Sequence, residues 1–540
     1  MKKSKKIAII GGGAAGTAAA WSLARSRSTT KTSSSSTDDV DPDFAITLIE
    51  ACDVLGGVAC TKYMDGQQQS QFINYGVQGG APASHRNIIA FLKEFGEDVD
   101  DASLSVSFGK GQYHWTNYQD SELQHRLKDD IKKFGTLLKW VSRLELLTLF
   151  LSIDTVMKWT NLSQEFRERM VYPLVALFFG TGNQTPNMSA AIVARVFTDP
   201  SLKIFEYSED RLIDSEPTNF AFRNLDLFYN GKVRPYLEER GVRVLTGHKV
   251  ESIIERDTRN GVSLRISKVS KDRSEYRAGG DQTVLNDPTG SVTDQQHATA
   301  TTEAVNDDGS WREQFDDIVL ACPANVSYEL LGDHATFWER RVLGRVEYFH
   351  DLSVTHCDES YMKKNFEVDG KAIYFIKTYK EEPKLLEMGF DLSGYQSSVS
   401  GGVHFPSEMQ DEHHHPQQQQ RVYQTIFLDQ KRQSDLWPIK DIDESKIVDR
   451  TWWSAFAHTM NHFRHVIPFV GFLHRQSTVN QTHTYYAGSW MLINTHDIAV
   501  ASGLAVADRL GAPYPFADNQ LAFDAYKTFW VVGHGMNRRS

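Results

Sequence analysis

Short apolar runs, each followed by glycine or by a helix-like stretch, set the rhythm of this chain. Lys6–Ile10 (KIAII) reads as a buried strand, since four apolar residues, three of them isoleucine, stand together. The alanine-rich stretch Thr17–Arg25 then reads as a helix, and Phe44–Ile49 (FAITLI) as a second strand. Asn230–Glu255 predicts a helix, a tight turn at Gly241, a strand over Arg243–Leu245 and another beginning at Val250. Asp317–Pro323 (DIVLACP) and Thr484–Gly488 (TYYAG) are further buried strands, and Ile498–Leu510 (IAVASGLAVADRL) is a helix stopped by Gly511. This alternation predicts an α/β fold on a doubly wound parallel sheet, with an α+β domain inserted in the chain.

Two apolar segments fall outside that scheme. Leu144–Ile153 (LELLTLFLSI) is the most apolar run, far short of the roughly 18 residues of a membrane span, and it is expected to be a buried helix of the inserted domain. Leu521–Val532 (LAFDAYKTFWVV) has helical apolar spacing and is expected to pack on its own domain.

The link between the first strand and the first helix carries the chemistry. Gly11-Gly12-Gly13-Ala14-Ala15-Gly16 has the spacing G-x-G-x-x-G, and the second strand ends on Glu50. Gly11 lets the chain turn tightly, Gly13 leaves a pyrophosphate access to the backbone, and Gly16 lets helix and strand approach. The phosphates then meet the helix N-terminus, and Glu50 accepts from a ribose hydroxyl. This is a Rossmann-like dinucleotide fingerprint with one irregularity of spacing. Glu50 follows Gly16 by 50 − 16 = 34 residues, against about 20 in the usual motif. Arg27–Pro42 (RSTTKTSSSSTDDVDP) has no apolar periodicity and reads as a flexible surface insertion, and removing its 16 residues leaves 18.

Composition narrows the class. A net charge of −11 and a pI near 6.0 disfavour a general nucleic-acid or anionic-membrane binder. Four cysteines without C-x-x-C spacing exclude a disulfide framework or zinc ribbon and point to a reducing, cytoplasmic compartment. The basic start, Met1–Lys6, precedes too short an apolar run for a signal peptide. Residues 270–311 and 410–420 are polar insertions. The run His413-His414-His415 lies in the second, but adjacent histidines seldom converge on one ion, and no metal site is expected.

The segment Glu50-Ala51-Cys52-Asp53-Val54-Leu55-Gly56-Gly57-Val58-Ala59-Cys60-Thr61 resembles the E-A-x(3)-L-G-G-R-x-x-T segment of FAD enzymes of the amine-oxidase type. The resemblance implies FAD, with the backbone of Gly56 and Gly57 close to it. Val58 stands where that family has arginine, leaving backbone amides and the helix dipole to hold the phosphates. Phe72-Ile73-Asn74-Tyr75-Gly76-Val77-Gln78-Gly79-Gly80 resembles the family stretch beneath the isoalloxazine, which makes Val77 and Gln78 ring contacts. Val250 matches the position whose backbone meets adenine. The closing stretch from Gly488-Ser489 through Asp497-Ile498 resembles the motif whose last helix points its N-terminus at the flavin, with the amides of Asp497 and Ile498 facing it. The cysteine context of covalent attachment is missing, so FAD is expected to be non-covalent. Similarity reaches residues 5–92, 225–330 and 450–515 and is nearest to NAD/FAD-binding proteins of unassigned activity, cyclopiazonate-type dehydrogenases and fatty-acid double-bond isomerases.

The family's amine-caging tyrosine corresponds to Thr495, which disfavours simple amine oxidation. Tyr486, Trp490 and Trp453 are the aromatic candidates for a substrate wall beside Thr495, and His496 is the candidate proton-exchanging group. Trp452, His458, His462 and His465 lie in the same aromatic and histidine-rich stretch as Trp453.

The expected activity is hydride removal from an apolar, unsaturated or lipid-like small molecule, with reoxidation by dioxygen. A redox-neutral isomerase, an amine oxidase, an NAD-dependent dehydrogenase and a non-catalytic flavin binder are the alternatives. The expected domains are residues 1–80, 225–335 and 477–515 for FAD, 81–224 and 336–476 for substrate, and 516–540 as a helical tail. Oligomeric state is left open.

Overall fold

The computed structural model describes residues 4–29, 44–64, 70–179, 184–199, 206–213, 216, 218–269, 309–400, 402, 420–479 and 481–535. Of the expected insertions, residues 30–42, 270–308 and 410–419 lie outside that set, His413–His415 among them. Arg27–Thr29 close the first helix, and Trp311 opens a strand.

The chain forms two compact units, the first made of Met1–Val58, Asp226–Val346 and Val466–Ser540. Its centre is a five-stranded, all-parallel sheet in the order Arg243–Thr246, Phe44–Glu50, Lys5–Ile10, Asp317–Leu320, Thr484–Tyr486. Ile7, Ala8 and Ile9 are inaccessible because the sheet is covered, by the helix Ala14–Thr29 and by strands of an antiparallel sheet that also pack on it, which is why the sequence there shows no alternation. The fold is mixed α/β and Rossmann-like, as expected. A three-stranded antiparallel sheet, His248–Asp257, Gly261–Lys268 and Trp311–Phe315, accompanies it. The second of the strands read at Val250 therefore starts two residues earlier, at His248.

Helix boundaries also moved. The first helix runs Ala14–Thr29 and the last sheet-packing helix His496–Leu510, each starting before the predicted residue. The two helices cross closely, since a Cβ on Gly503 would lie 2.0 Å from the carbonyl oxygen of Ala15. Gln520–His534 forms a further helix that buries Tyr526, Phe529 and Trp530 within the first unit. Residues 466–476, expected with the substrate domain, also cluster with this unit.

The second unit comprises Ala59–Leu225 and Glu347–His465, so residues 59–80, expected with the nucleotide-binding part, fall here. It is organised on a seven-stranded sheet in the order Ile447–Phe456, Tyr348–His356, Tyr423–Phe427, Leu386–Asp391, Tyr374–Thr378, Val106–Phe108, Trp115–Thr116. All pairings are antiparallel except that of Tyr374–Thr378 with Val106–Phe108.

Leu144–Ile153 departs from expectation. It is not a buried helix: Leu146 is 84% and Leu147 67% exposed, and only Glu145–Thr148 is a regular helical turn before the helix Ile153–Trp159. Apolar spacing reveals a one-sided element but not which side is covered. Among the described residues, no helix is long and apolar enough to cross a membrane.

Candidate dinucleotide-binding site

Gly11 leaves the first strand at φ +108°, a conformation side chains rarely adopt, and its N–H donates to Ile49 O at 2.8 Å. Gly16 sits in the first turn of the helix, where a Cβ would come within 1.8 Å of Gly11 O. These two glycines are therefore obligatory for the turn itself. Gly13 differs. A Cβ there would find only Gly57 Cα at 3.9 Å and Gly56 O at 4.0 Å, so its missing side chain leaves open space instead of preventing a clash. That is the cradle a pyrophosphate needs, bordered by Ala14 and Ala15 at the start of the helix.

A second glycine turn closes on the first. Gly56 and Gly57 have φ of +117° and +61°, Gly56 N–H donates to Gly12 O at 2.9 Å, and Gly13 and Gly56 form a parallel bridge. The resemblance implies that both turns approach one cofactor; the structure adds that they bond directly to each other. Asn230 fastens the second turn. Its side chain accepts from Leu55 N–H at 2.8 Å and donates to Leu55 O at 3.1 Å and to Asp226 at 2.8 Å. The sequence offered no signal for Asn230, which lies 175 positions from Leu55. Val58, after the glycine pair, is 53% exposed.

Glu50 is tied to this loop as well. One carboxylate oxygen accepts from Gly12 N–H at 2.5 Å, the other from Cys52 N–H at 2.8 Å. Burial raises its carboxyl pKa above the ordinary range, while the backbone donors at Cys52, Gly12 and Ala51 oppose the rise. A carboxylate has lone pairs beyond these two bonds, so Glu50 keeps acceptor capacity. Glu50 thus braces the glycine loop through both oxygens. Val250 is buried on its antiparallel strand opposite Ile266.

At the far end of the parallel sheet, Gly488 N–H donates to Ser502 Oγ at 2.8 Å, and a Cβ on Gly488 would press into Trp490 at 2.7 Å. Ser489 Oγ donates to Asn494 at 3.3 Å. Trp490 is buried in the first unit, where its indole nitrogen has no partner among the described residues. The helix that follows is capped by Thr495, whose hydroxyl accepts from Ile498 N–H at 3.2 Å. This corrects the expected use of Ile498: its amide is satisfied by the cap. Asp497 is buried in the first turn.

Two further expectations change on structural grounds. Tyr486 is fully buried, with its hydroxyl donating to Glu339 at 2.5 Å, and Glu339 is paired through both oxygens with Arg256 at 2.8 and 2.9 Å. It is a core anchor of the sheet and not a substrate wall. His496 is buried too, with Nε2 2.5 Å from the hydroxyl of Tyr229 and the rings nearly parallel. Burial pushes the Tyr229 phenol well above its ordinary pKa.

The remaining candidates belong to the second unit. The Gln78 side chain donates to Gln424 at 2.5 Å, Gln424 donates to Tyr75 O at 3.0 Å, and the backbone carbonyl of Gln78 accepts from Phe222 N–H at 2.9 Å. Val77 is half-buried beside it. Asn74, unflagged by the sequence, is fully buried and bonds to Thr61, Gln396 and the carbonyls of Phe222 and Arg223. Trp453 faces Tyr75 with ring centroids 5.7 Å apart. Trp452 packs against the core cluster of Leu352 and Phe427, and the rings of His458 and His462 pack on Phe456. Among the described residues, no group of three His, Cys, Asp or Glu is placed to hold a metal ion.

Comparison with known proteins follows the same lines. Residues 9–95 match the family described as NAD(P)-binding Rossmann-like domain. No curated protein matches the chain as a whole or in part. Solved structures match over nearly their full length. A protein from Exiguobacterium sp. 255-15 assigned as a candidate protoporphyrinogen oxidase is 15% identical, with 94% of this chain and 99% of that one covered at a TM-score of 0.55. An oxidoreductase from Methanosarcina mazei is 10% identical over 93% and 100% of the chains, with a TM-score of 0.54. Cyclohexylamine oxidase from Brevibacterium oxydans IH-35A is 12% identical over 94% and 100%, with a TM-score of 0.50. At these identities the likeness establishes a shared fold.

Proposed function

We propose that this protein is an oxidoreductase that holds FAD non-covalently and removes a hydride from a small organic molecule. The observation that carries the reading is the pair of bonded glycine turns, Gly11–Gly16 and Gly56–Gly57. They leave open space at Gly13 while Glu50 and Asn230 fix the loop from either side. The fold shared with structures described as oxidoreductases or oxidases over at least 93% of this chain supports it. Bound flavin supplies a two-electron acceptor.

The chain's own residues bind and orient. Backbone amides at the start of Ala14–Thr29 hold the phosphates, Glu50 takes the ribose, and the start of His496–Leu510 offers its dipole to developing negative charge. We assign His496 to positioning, because Tyr229 already engages its Nε2. In turnover the substrate gives up a hydride and a proton, and dioxygen accepts both electrons and two protons to become hydrogen peroxide.

The substrate reading favours an apolar or unsaturated compound over an amine. It rests on Thr495, a helix cap where the amine-oxidase resemblance calls for an aromatic ring. Leu144–Ile153 lends it no support, since Leu146 and Leu147 are exposed. Purified protein should be yellow, release FAD on denaturation and be bleached anaerobically by its substrate. A colourless protein that takes up no added FAD overturns the proposal, and turnover without oxygen consumption would reassign it to a redox-neutral isomerase.

A further inference from the structure

The outward-facing apolar stripe of the second unit has no role in the proposed chemistry. Trp140 is 60%, Leu146 84%, Leu147 67% and Phe150 43% exposed. They stand within eleven residues, on the end of one helix, the short turn that follows it and just beyond. The helix Lys128–Arg143 passes into Glu145–Thr148 with Leu144 N–H bonded to Trp140 O, Thr148 N–H to Leu144 O and Leu149 N–H to Glu145 O. Leu146 and Leu147 lie on the short turn and Phe150 two residues beyond its end. The inner side is separately filled by Leu137, Leu138 and Val141, each buried, so the outer residues are not a displaced core.

Charge says what this stripe meets. Between Ile131 and Leu144 the sequence holds Lys132, Lys133, Lys139 and Arg143 and no acid, within a chain whose net charge is −11. Lys132, Lys139 and Arg143 make no ion pair among the described residues, whereas nearby Glu145 is occupied by Arg195. Arg464 adds a cation beside Phe150, donating to its carbonyl. A protruding row of Trp, Leu and Phe edged by unpaired cations has the composition of a segment that lies in a bilayer interface. A second copy is disfavoured, because a two-fold contact through the stripe would set Lys139 and Arg143 against their own counterparts.

We propose that residues 140–150 dock this protein on an anionic lipid bilayer. Trp140, Leu146, Leu147 and Phe150 enter the boundary between headgroups and acyl chains, while Lys139 and Arg143 reach the lipid phosphates. The docking is interfacial, as no described helix is long and apolar enough to cross. The inference is independent of the flavin reading.

The test is vesicle co-sedimentation of the full-length protein. The probes are phosphatidylcholine vesicles with and without phosphatidylserine, and the variants are L146D/L147D and K139Q/R143Q. The protein should sediment with the serine-containing vesicles and bind the neutral ones at least about tenfold more weakly, on the order of fivefold for each cation engaged. L146D/L147D should lower partitioning at least about tenfold. K139Q/R143Q, which leaves every apolar side chain in place, should lose only the anionic component. Both variants should melt with the parent, since all four positions are exposed. Absence of vesicle binding by the parent overturns the proposal, as does equal binding by L146D/L147D. Concentration-dependent self-association that L146D/L147D abolishes, without vesicle binding, would assign the stripe to a second copy instead.

Discussion

Two glycines of one fingerprint should fail in different ways. At Gly13 a Cβ would stand 3.9 Å from Gly57 Cα, an ordinary contact, so Gly13→Asp should fold and melt within about 2 °C of the parent when both lack flavin. Its carboxylate would occupy the space left for a pyrophosphate. Two unit charges of like sign about 4 Å apart cost about 4 kcal/mol at an effective dielectric of about 20, roughly a thousandfold in affinity. At Gly16 a Cβ would lie 1.8 Å from Gly11 O and 3.3 Å from Ala321 Cβ. Gly16→Val must therefore move backbone in both strand and helix, at about 3 kcal/mol or more, and lower the melting temperature by about 6–12 °C. The assay is flavin per chain from absorbance of the purified protein, paired with thermal melts of flavin-free protein. Stoichiometric flavin in Gly13→Asp, or an unshifted melt in Gly16→Val, would refute this division of roles.

Other perturbations test the structure elsewhere. Asn230→Ala should remove both bonds to the Leu55 backbone and weaken flavin retention with a loss of about 1–3 kcal/mol, read by flavin titration; unchanged affinity would show that the second glycine turn needs no fastening. Burial works against ionisation of Glu339, but the hydrogen bond and charge of Arg256 outweigh it and hold its carboxyl below the ordinary range. Its contribution is therefore present at neutral pH and is lost as pH falls below the unfolded value of about 4.3. Glu339→Gln should flatten that acid limb and, by stranding Arg256, cost about 3–5 kcal/mol in chemical denaturation at neutral pH. Common mono-, di- and polyamines should leave the flavin oxidised in anaerobic mixing, and rapid bleaching by any of them would remove the argument from Thr495 while leaving the fold untouched.

What the sequence determined by itself is local. The phosphate loop was legible because a turn, an open backbone and a close helix approach are requirements on consecutive residues, Gly11 to Gly16, and glycine alone meets them cheaply. The parallel sheet was legible because isoleucine-rich runs such as Ile7–Ile10, without alternation, are stable only when covered on both faces. Tertiary structure decided whatever depended on partners distant in the chain. Asn230 reaches across 175 positions to Leu55, Tyr486 donates its hydroxyl to Glu339 147 positions off, and His496 meets Tyr229 across 267. No periodicity records such pairings. The outward face of Leu146 and Leu147 belongs with them, since apolar spacing marks a face that favours leaving water, and only packing shows whether the protein itself covers it.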